Sequence, residues 1–315
     1  MLKAQSHQSS SFRQEMLNAI RQRLQDQGVT LADVISLRKL YFRVSVISTC
    51  NLSCLFCHNE GAPTGGRINL DFARKAIEAA REIGFNRVQF TGGEPLLRKD
   101  IGDFVGMARS LINDVGVTTN GLLLPERIDS LINNSITRIH ISLQTETLMG
   151  SRKKGEWRIP NWLAPILIFA GNSIFRLRIN LPIPADNLHQ AEEFLPNLLK
   201  DCDVLAFSIL PEGKSGADPF PYSDLESMVE RVNLYSTKAG LKGKVLIRGY
   251  KQPNGIRCPT CIDADRCKEQ SHSLRLGADN MLRPCLATRT WDSHCSDDHM
   301  LEDITNAALL AIDYE

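Results

Sequence analysis

At 315 residues, with 37 basic against 36 acidic side chains and a net charge of +1, the chain has no broad electrostatic footprint for nucleic acid. No apolar stretch approaches the roughly 18 residues that a membrane span needs, and the polar, Ser/Gln-rich start from Met1 to Arg13 has no signal-peptide core. Nine cysteines in short clusters suit a reducing cytoplasmic setting and metal binding better than a disulfide framework.

The length predicts about two domains. Residues 12–40 read as one or two amphipathic helices, with Met16, Ile20 and Leu24 at helical spacing. From residue 41, short apolar runs alternate with helical patterns. The runs 41–47, 87–91, 115–118, 136–142, 174–181 and 204–210 read as strands. Helical patterns lie between them: 70–83, ending at Gly84 as a natural C-cap; 101–112, behind Asp100 as N-cap; and 188–199, behind Asn187. Six repeats of strand and helix predict an α/β fold, a partial (β/α)6 barrel of the TIM type. Beyond about residue 215 the pattern changes to one helix (223–238), a short strand (244–249) and a cysteine-rich tail. The expected domains are therefore an N-terminal helical segment (1–40), the barrel (41–215) and a cysteine-rich C-terminal domain (216–315).

Cys50-x3-Cys54-x2-Cys57 follows the first strand. Three thiolates on one short loop can hold a four-iron cube and leave its fourth iron open to a small molecule. Two other readings stand beside this one. With His58 the trio would make a Cys3His zinc site, although consecutive Cys57 and His58 are awkward co-ligands; the third reading is simply buried thiols. Asn51-Leu52-Ser53 matches a glycosylation sequon, which has no meaning in a cytosolic chain.

Active sites of such barrels sit at the C-terminal ends of the strands, and the unusual motifs collect there. Thr91-Gly92-Gly93-Glu94-Pro95 ends strand two, Thr118-Thr119-Asn120-Gly121 strand three, and Ser142-Leu143-Gln144-Thr145 strand four. Asn180 lies near the end of strand five, and Leu210-Pro211-Glu212-Gly213 follows strand six. Alone, glycine pairs and Asn-Gly are ordinary turn formers, and Glu94 would be a solvated loop carboxylate. Beside the cysteine loop, the glycines offer bare backbone for close approach, and Glu94 offers an acceptor to a cationic group.

Together these residues resemble the radical S-adenosylmethionine (SAM) superfamily, whose signature is C-x3-C-x2-C followed by a GGE motif at the end of strand two. The resemblance implies a 4Fe-4S cluster on Cys50, Cys54 and Cys57 whose open iron chelates SAM. One-electron cleavage then yields a 5′-deoxyadenosyl radical that abstracts hydrogen from substrate. It also implies that Gly92, Gly93 and Glu94 bind the methionine end of SAM, that Phe56 packs on adenine, and that Ser142 and Leu210 contact the cofactor. An electron donor such as flavodoxin or ferredoxin is the implied protein partner.

The resemblance is closer to the MoaA-like branch, the GTP cyclases of molybdenum-cofactor biosynthesis. It runs in patches over residues 41–286, through Tyr41-Phe-Arg-Val-Ser45, Phe90 to Arg98, Thr118 to Gly121, Arg178-Ile-Asn180 and Leu274 to Cys285. It implies a second 4Fe-4S cluster in the C-terminal domain on Cys258, Cys261 and Cys285. The chain departs from the pattern by an insertion carrying Cys267, which would close that cluster as a fourth ligand or be a spectator thiol. Cys258-x2-Cys261-x5-Cys267 is also similar to the auxiliary-cluster domains of peptide-modifying radical SAM enzymes. Cys295 is a weaker fourth ligand, and Cys202 reads as a buried structural thiol.

In the substrate pocket, Arg43 and Arg275 match arginines that contact GTP in the family, Arg178 keeps the charge of a lysine, and Thr118 is retained. Gln89 and Ser273 stand where arginines are expected, and neither an amide nor a hydroxyl replaces a bidentate guanidinium. The leading expectation is a two-cluster radical SAM enzyme acting on a small polar or nucleotide-like substrate in cofactor or natural-product biosynthesis. The runner-up acts on a peptide, although the N-terminal segment is short for a leader-binding domain. A non-catalytic zinc or iron–sulfur module is the third reading.

Overall fold

The computed structural model describes residues 2–54, 65–144, 157–172, 174–184, 187–209, 222–247, 273–284 and 291–312. Helices α1 (Leu2–Asp26) and α2 (Leu31–Leu37) come first, and α2 is started by a reciprocal capping box. The Thr30 hydroxyl accepts from Asp33 N–H at 3.1 Å, and the Asp33 carboxylate accepts from Thr30 N–H at 2.9 Å.

Strands and helices then alternate: β1 (Tyr41–Ile47), α3 (Leu70–Glu82), β2 (Arg87–Gly92), α4 (Ile101–Leu111), β3 (Asp114–Thr119), α5 (Leu124–Asn133) and β4 (Arg138–Ser142). The series continues with α6 (Leu163–Gly171), β5 (Arg176–Pro184), α7 (Leu188–Leu198), β6 (Asp203–Ile209), α8 (Tyr222–Lys238) and β7 (Val245–Ile247). The tail adds β8 (Ser273–Leu276), β9 (Met281–Arg283), β10 (Ser293–His294) and α9 (Met300–Ile312).

The ten strands among the described residues form one sheet in the order β10-β9-β8-β1-β2-β3-β4-β5-β6-β7. Strands β1 to β7 run parallel, and β8 pairs parallel with β1 on its other side; β9 and β10 are antiparallel. The expected α/β architecture is present as an open, partial barrel, with β7 and β10 as its edges among the described residues. The predicted strands at 136–142 and 174–181 begin two residues later, and β5 extends to Pro184.

The strands alternate between two faces, as the period of two in an extended chain demands. Phe42, Val44 and Val46 on β1, Val88 and Phe90 on β2, and Val115 and Val117 on β3 are fully buried. They pack under α3 to α5, whose inward faces supply Ala73, Ile77, Phe104, Val105 and Leu131. Phe90 meets Phe104 edge-on with ring centroids 5.9 Å apart, a pair whose truncation costs about 3–5 kcal/mol. The opposite face of the same strands is polar, carrying Arg43, Ser45, Gln89, Thr91, Thr118, His140, Ser142, Arg178 and Asn180.

Two ends of the elements have specific causes. Gly84, at φ 107°, follows the C-cap of α3 as expected. Asp100 occupies the N-cap position of α4 but caps no N–H. Its carboxylate is taken by Arg98, whose Nε and Nη2 donate to it at 2.9 and 2.6 Å. Arg98, itself buried, also donates to Val46 O and Ile68 O, stapling β1 to the turn that starts α3.

Candidate active site

The C-terminal ends of β1 and β2 meet through backbone contacts that only glycine permits. Gly93 N–H donates to Ile47 O at 2.7 Å, and Glu94 N–H donates to Thr49 O at 2.9 Å. A Cβ on Gly92 would collide with Ile47 O, and one on Gly93 with Thr49 O and Ser48 O. Among the described residues, therefore, what the glycine pair admits is the backbone that leads into the cysteine loop. This is a close approach of chain to chain.

Glu94 closes this end of the sheet. Its carboxylate is 1% exposed and accepts from Leu96 N–H at 2.9 Å, Thr119 Oγ1 at 2.7 Å and Asn120 N–H at 2.7 Å. Burial pushes the carboxyl above the usual range, while the bonds from Asn120, Thr119 and Leu96 pull it back. A carboxylate has about four acceptor sites, so room remains for one further donor. Glu94 is thus the tie between the ends of β2 and β3.

Cys50 and Cys54 follow β1 on the same rim, both half-buried. Leu52 N–H donates to Cys50 Sγ at 3.4 Å, a contact that favours a thiolate over a thiol. Soft thiolate donors at an accessible strand end fit an iron–sulfur cluster. Cys57 and Phe56 lie outside the described residues, as do Leu210, Cys258, Cys261, Cys267 and Cys285.

Below the rim, the polar face of the sheet carries the expected cationic residues. In the β1–β8 pairing Arg43 and Arg275 are direct partners. Arg43 Nη2 donates to Thr91 Oγ1 at 3.2 Å, and Arg275 is buried. Thr118 on β3 is the partner of His140 on β4, which in turn is the partner of Arg178 on β5. Arg178 lies 3.9 Å from Asp203, both groups being more than a third exposed. Ser142 pairs with Asn180 one step nearer the rim. Gln89 fills the space over Gly116, where a Cβ would strike its Oε1. Its Nε2 donates to Thr118 Oγ1 at 3.0 Å, while the buried Oε1 has no partner among the described residues.

His140 was not anticipated as a site residue, although Arg138, His140 and Ser142 share one face of β4 by simple alternation. Burial, followed by the charges of Arg138, Arg178, Arg43 and Arg87, holds its imidazole well below the usual histidine range. The imidazole is neutral and the surrounding field is positive, an arrangement suited to an anionic ligand.

Cys202 and Cys295 sit away from this face. Cys202 is buried, with Sγ 3.3 Å from Leu198 O, and burial pushes its thiol up. Cys295 is fully buried before α9; burial, then Asp303 and Asp297, pushes its thiol up to about 12.

Comparison with known proteins gives the same picture. Residues 44–147 match the Radical SAM superfamily. A probable GTP 3′,8-cyclase of Methanosarcina mazei is 36% identical over 129 residues, which is 39% of this chain and only 38% of that protein. The GTP 3′,8-cyclase of Crocosphaera subtropica is 28% identical over 288 residues, 79% of this chain and 82% of that one. Among solved structures, Streptococcus suis SuiB bound to S-adenosylmethionine superposes with a TM-score of 0.61 at 17% identity, over 80% of this chain and 63% of that chain, a likeness of fold. The segment from β1 through the loop after β4 is a radical SAM domain, in a chain homologous to the GTP 3′,8-cyclases.

Proposed function

We propose that the protein is a radical SAM enzyme that modifies a small, anionic, polar or nucleotide-like substrate. The observation that carries the reading is the pairing of Arg43 with Arg275 on the polar sheet face beneath the cysteine loop. The two guanidinium groups on adjacent strands concentrate positive charge on this face, and Arg178 adds a third cation on β5. Homology to GTP 3′,8-cyclases supports the nucleotide-like choice. The neutral amide of Gln89, where an arginine is expected, favours fewer phosphates than GTP carries.

Cys50, Cys54 and Cys57 would hold the first 4Fe-4S cluster, with Gly92, Gly93, Glu94, Phe56, Ser142 and Leu210 around SAM. That cluster, when bound, supplies the electron that cleaves SAM to methionine and a 5′-deoxyadenosyl radical. The protein's own share is to hold the reactants and exclude water. Arg43, Arg275 and Arg178 grip the anionic part of the substrate, while Thr118 and His140 give neutral hydrogen-bonding partners between them. Cys258, Cys261, Cys285 and Cys267 would carry a second 4Fe-4S cluster, and a flavodoxin or ferredoxin would deliver the electron in the cytoplasm. Among the described residues no helix is long and apolar enough to cross a membrane.

A second reading, modification of a peptide, is favoured by the Cys258-x2-Cys261-x5-Cys267 spacing. Fold likeness to SuiB, solved also with its precursor peptide SuiA at a TM-score of 0.57, is compatible with it. The test is anaerobic reconstitution followed by reduction with SAM present, reading 5′-deoxyadenosine. Release that rises with nucleotides and not with candidate peptides is expected. Stimulation by peptides alone would favour the second reading, and zinc in place of iron would overturn both.

A further inference from the structure

The rim contains a connection that the cofactor reading does not use. Asn120, the first residue past β3, has its N–H and both polar atoms of its side chain engaged. Its N–H donates to buried Glu94 at 2.7 Å, and its Oδ1 accepts from Leu122 N–H at 3.1 Å. Its Nδ2 donates to Asn51 Oδ1 at 2.7 Å. That same Asn51 oxygen lies 3.9 Å from Cys50 Sγ. A line of polar contacts thus runs from the buried carboxylate of Glu94, through the turn after β3, to the residue beside the first cysteine. Asn51 is exposed, and its side-chain oxygen is held between Asn120 Nδ2 and Cys50 Sγ.

We propose that Asn120 is a positioning residue for the cysteine loop: through Asn51 it transmits the rigidity of the Glu94 tie to the environment of the Cys50 sulfur. The inference rests on the reading of that loop as a cluster site, and iron and sulfide analysis of the wild-type protein tests that reading separately. The physical basis is simple. Glu94 is immobilised by three bonds inside the sheet end, whereas Asn51 and Ser53, in the described part of the cysteine loop, are exposed. Hydrogen bonds and dipoles around a ligating sulfur help to set the potential of an iron–sulfur cluster. An amide held beside Cys50 therefore acts on the cluster as well as on loop order.

The variants Asn120→Asp, Asn120→Ala and Asn51→Ala separate this role from ordinary turn capping. Asn120→Asp keeps the backbone bond to Glu94 and the acceptor for Leu122 N–H, while it replaces the donor to Asn51 with an acceptor and adds a negative charge. A capping role predicts that it behaves as wild type. The relay predicts that it behaves like Asn120→Ala and like Asn51→Ala. Asn51→Ala alters an exposed loop side chain and keeps the test available if changes at residue 120 impair folding.

Two readouts apply to the full chain. In the cluster-free protein, amide exchange over residues 48–54 should rise roughly fivefold, the opening expected from losing one net hydrogen bond, while β2 and β3 are unchanged. In the reconstituted protein, the electron paramagnetic resonance spectrum and midpoint potential of the reduced cluster should shift in all three variants. The Asn51→Ala/Asn120→Ala double variant should add nothing to either single change. Wild-type exchange and an unchanged spectrum in Asn120→Asp and Asn51→Ala would overturn the proposal.

Discussion

Arg43 and Arg275 face each other across the parallel β1–β8 pair, although one comes from the first strand and the other from the distant tail. Together they concentrate positive charge on the polar face of the sheet, an arrangement suited to an anionic ligand. The expectation is that pyrophosphate or a nucleoside phosphate raises the melting temperature of the wild-type protein. Arg43→Gln and Arg275→Gln should each weaken that binding by about 10- to 100-fold, the loss of a charged hydrogen bond of roughly 1.5–3 kcal/mol. Because both act on one ligand, the double change should be less than additive. Isothermal titration of the three variants checks this, and equal affinity in all of them would refute the site.

The other end of the sheet is built for stability. Asp114, the first residue of β3, lies 2.9 Å from Arg87, 2.7 Å from Arg138 and 2.9 Å from Arg176, the first residues of β2, β4 and β5. Arg138 is 7% exposed, and burial pushes its guanidinium down to about 10. Asp114→Asn would leave that cation buried with its main counter-charge gone, at a cost of about 3 kcal/mol. Burial works to raise the Asp114 carboxyl, but Arg138, Thr137, Arg176 and Arg87 outweigh it and hold it low. A depressed carboxylate contributes stability above its unfolded pKa, and that contribution fades as the pH falls below about 4. Denaturant unfolding from pH 7 to 3 should show the wild-type advantage over Asp114→Asn shrinking with acid.

The radical SAM motifs and the strand–helix alternation were legible because each is local. Strands β1 to β6 advertise themselves as short apolar runs, and the rim motifs fall at their ends. Strand β8 did not, since Ser273–Leu276 is four residues long and carries an arginine. It is a strand only because β1 offers it an edge. Helix α9 escaped for a different reason. Ala307 to Ile312 are all buried, so the segment has no polar face from which an amphipathic period could be read. Position alone predicts a helix cap at Asp100, but the nearby Arg98 fork competes for the same oxygens and wins through charge. His140 and Asn120 belong to no motif, and their neighbours come from other strands.

The glycine pair gives a sharper test of how the rim is held. Gly93→Ala would drive a methyl group into Thr49 O and Ser48 O, and these are backbone atoms that cannot swing aside. The bonds Gly93 N–H to Ile47 O and Glu94 N–H to Thr49 O would open together. A loss of about 2–4 kcal/mol is expected, in the upper range for single substitutions. Gly116→Ala should be milder, because the clash there is with the movable end of Gln89. Its signature is loss of the Gln89–Thr118 bond, worth about 1 kcal/mol, with the cysteine loop intact. Unfolding curves of the two variants should rank in that order.

His140 supplies the acid dependence. In the folded chain its imidazole stays neutral, since burial and then Arg138, Arg178, Arg43 and Arg87 oppose protonation. In the unfolded chain it takes up a proton near pH 6.5. The unfolded state therefore binds more protons below that pH, and stability must fall as the pH drops, by up to about 1.4 kcal/mol per unit. His140→Gln removes the titrating group, so its stability between pH 7 and 5 should decline less steeply than that of the wild type. An anion seated among the same arginines reverses part of the effect, because it offsets the charges that add to burial in keeping the ring neutral. Pyrophosphate should accordingly flatten the wild-type profile and leave that of His140→Gln almost unchanged. Identical pH profiles for the two proteins, with and without the anion, would separate His140 from the arginine site.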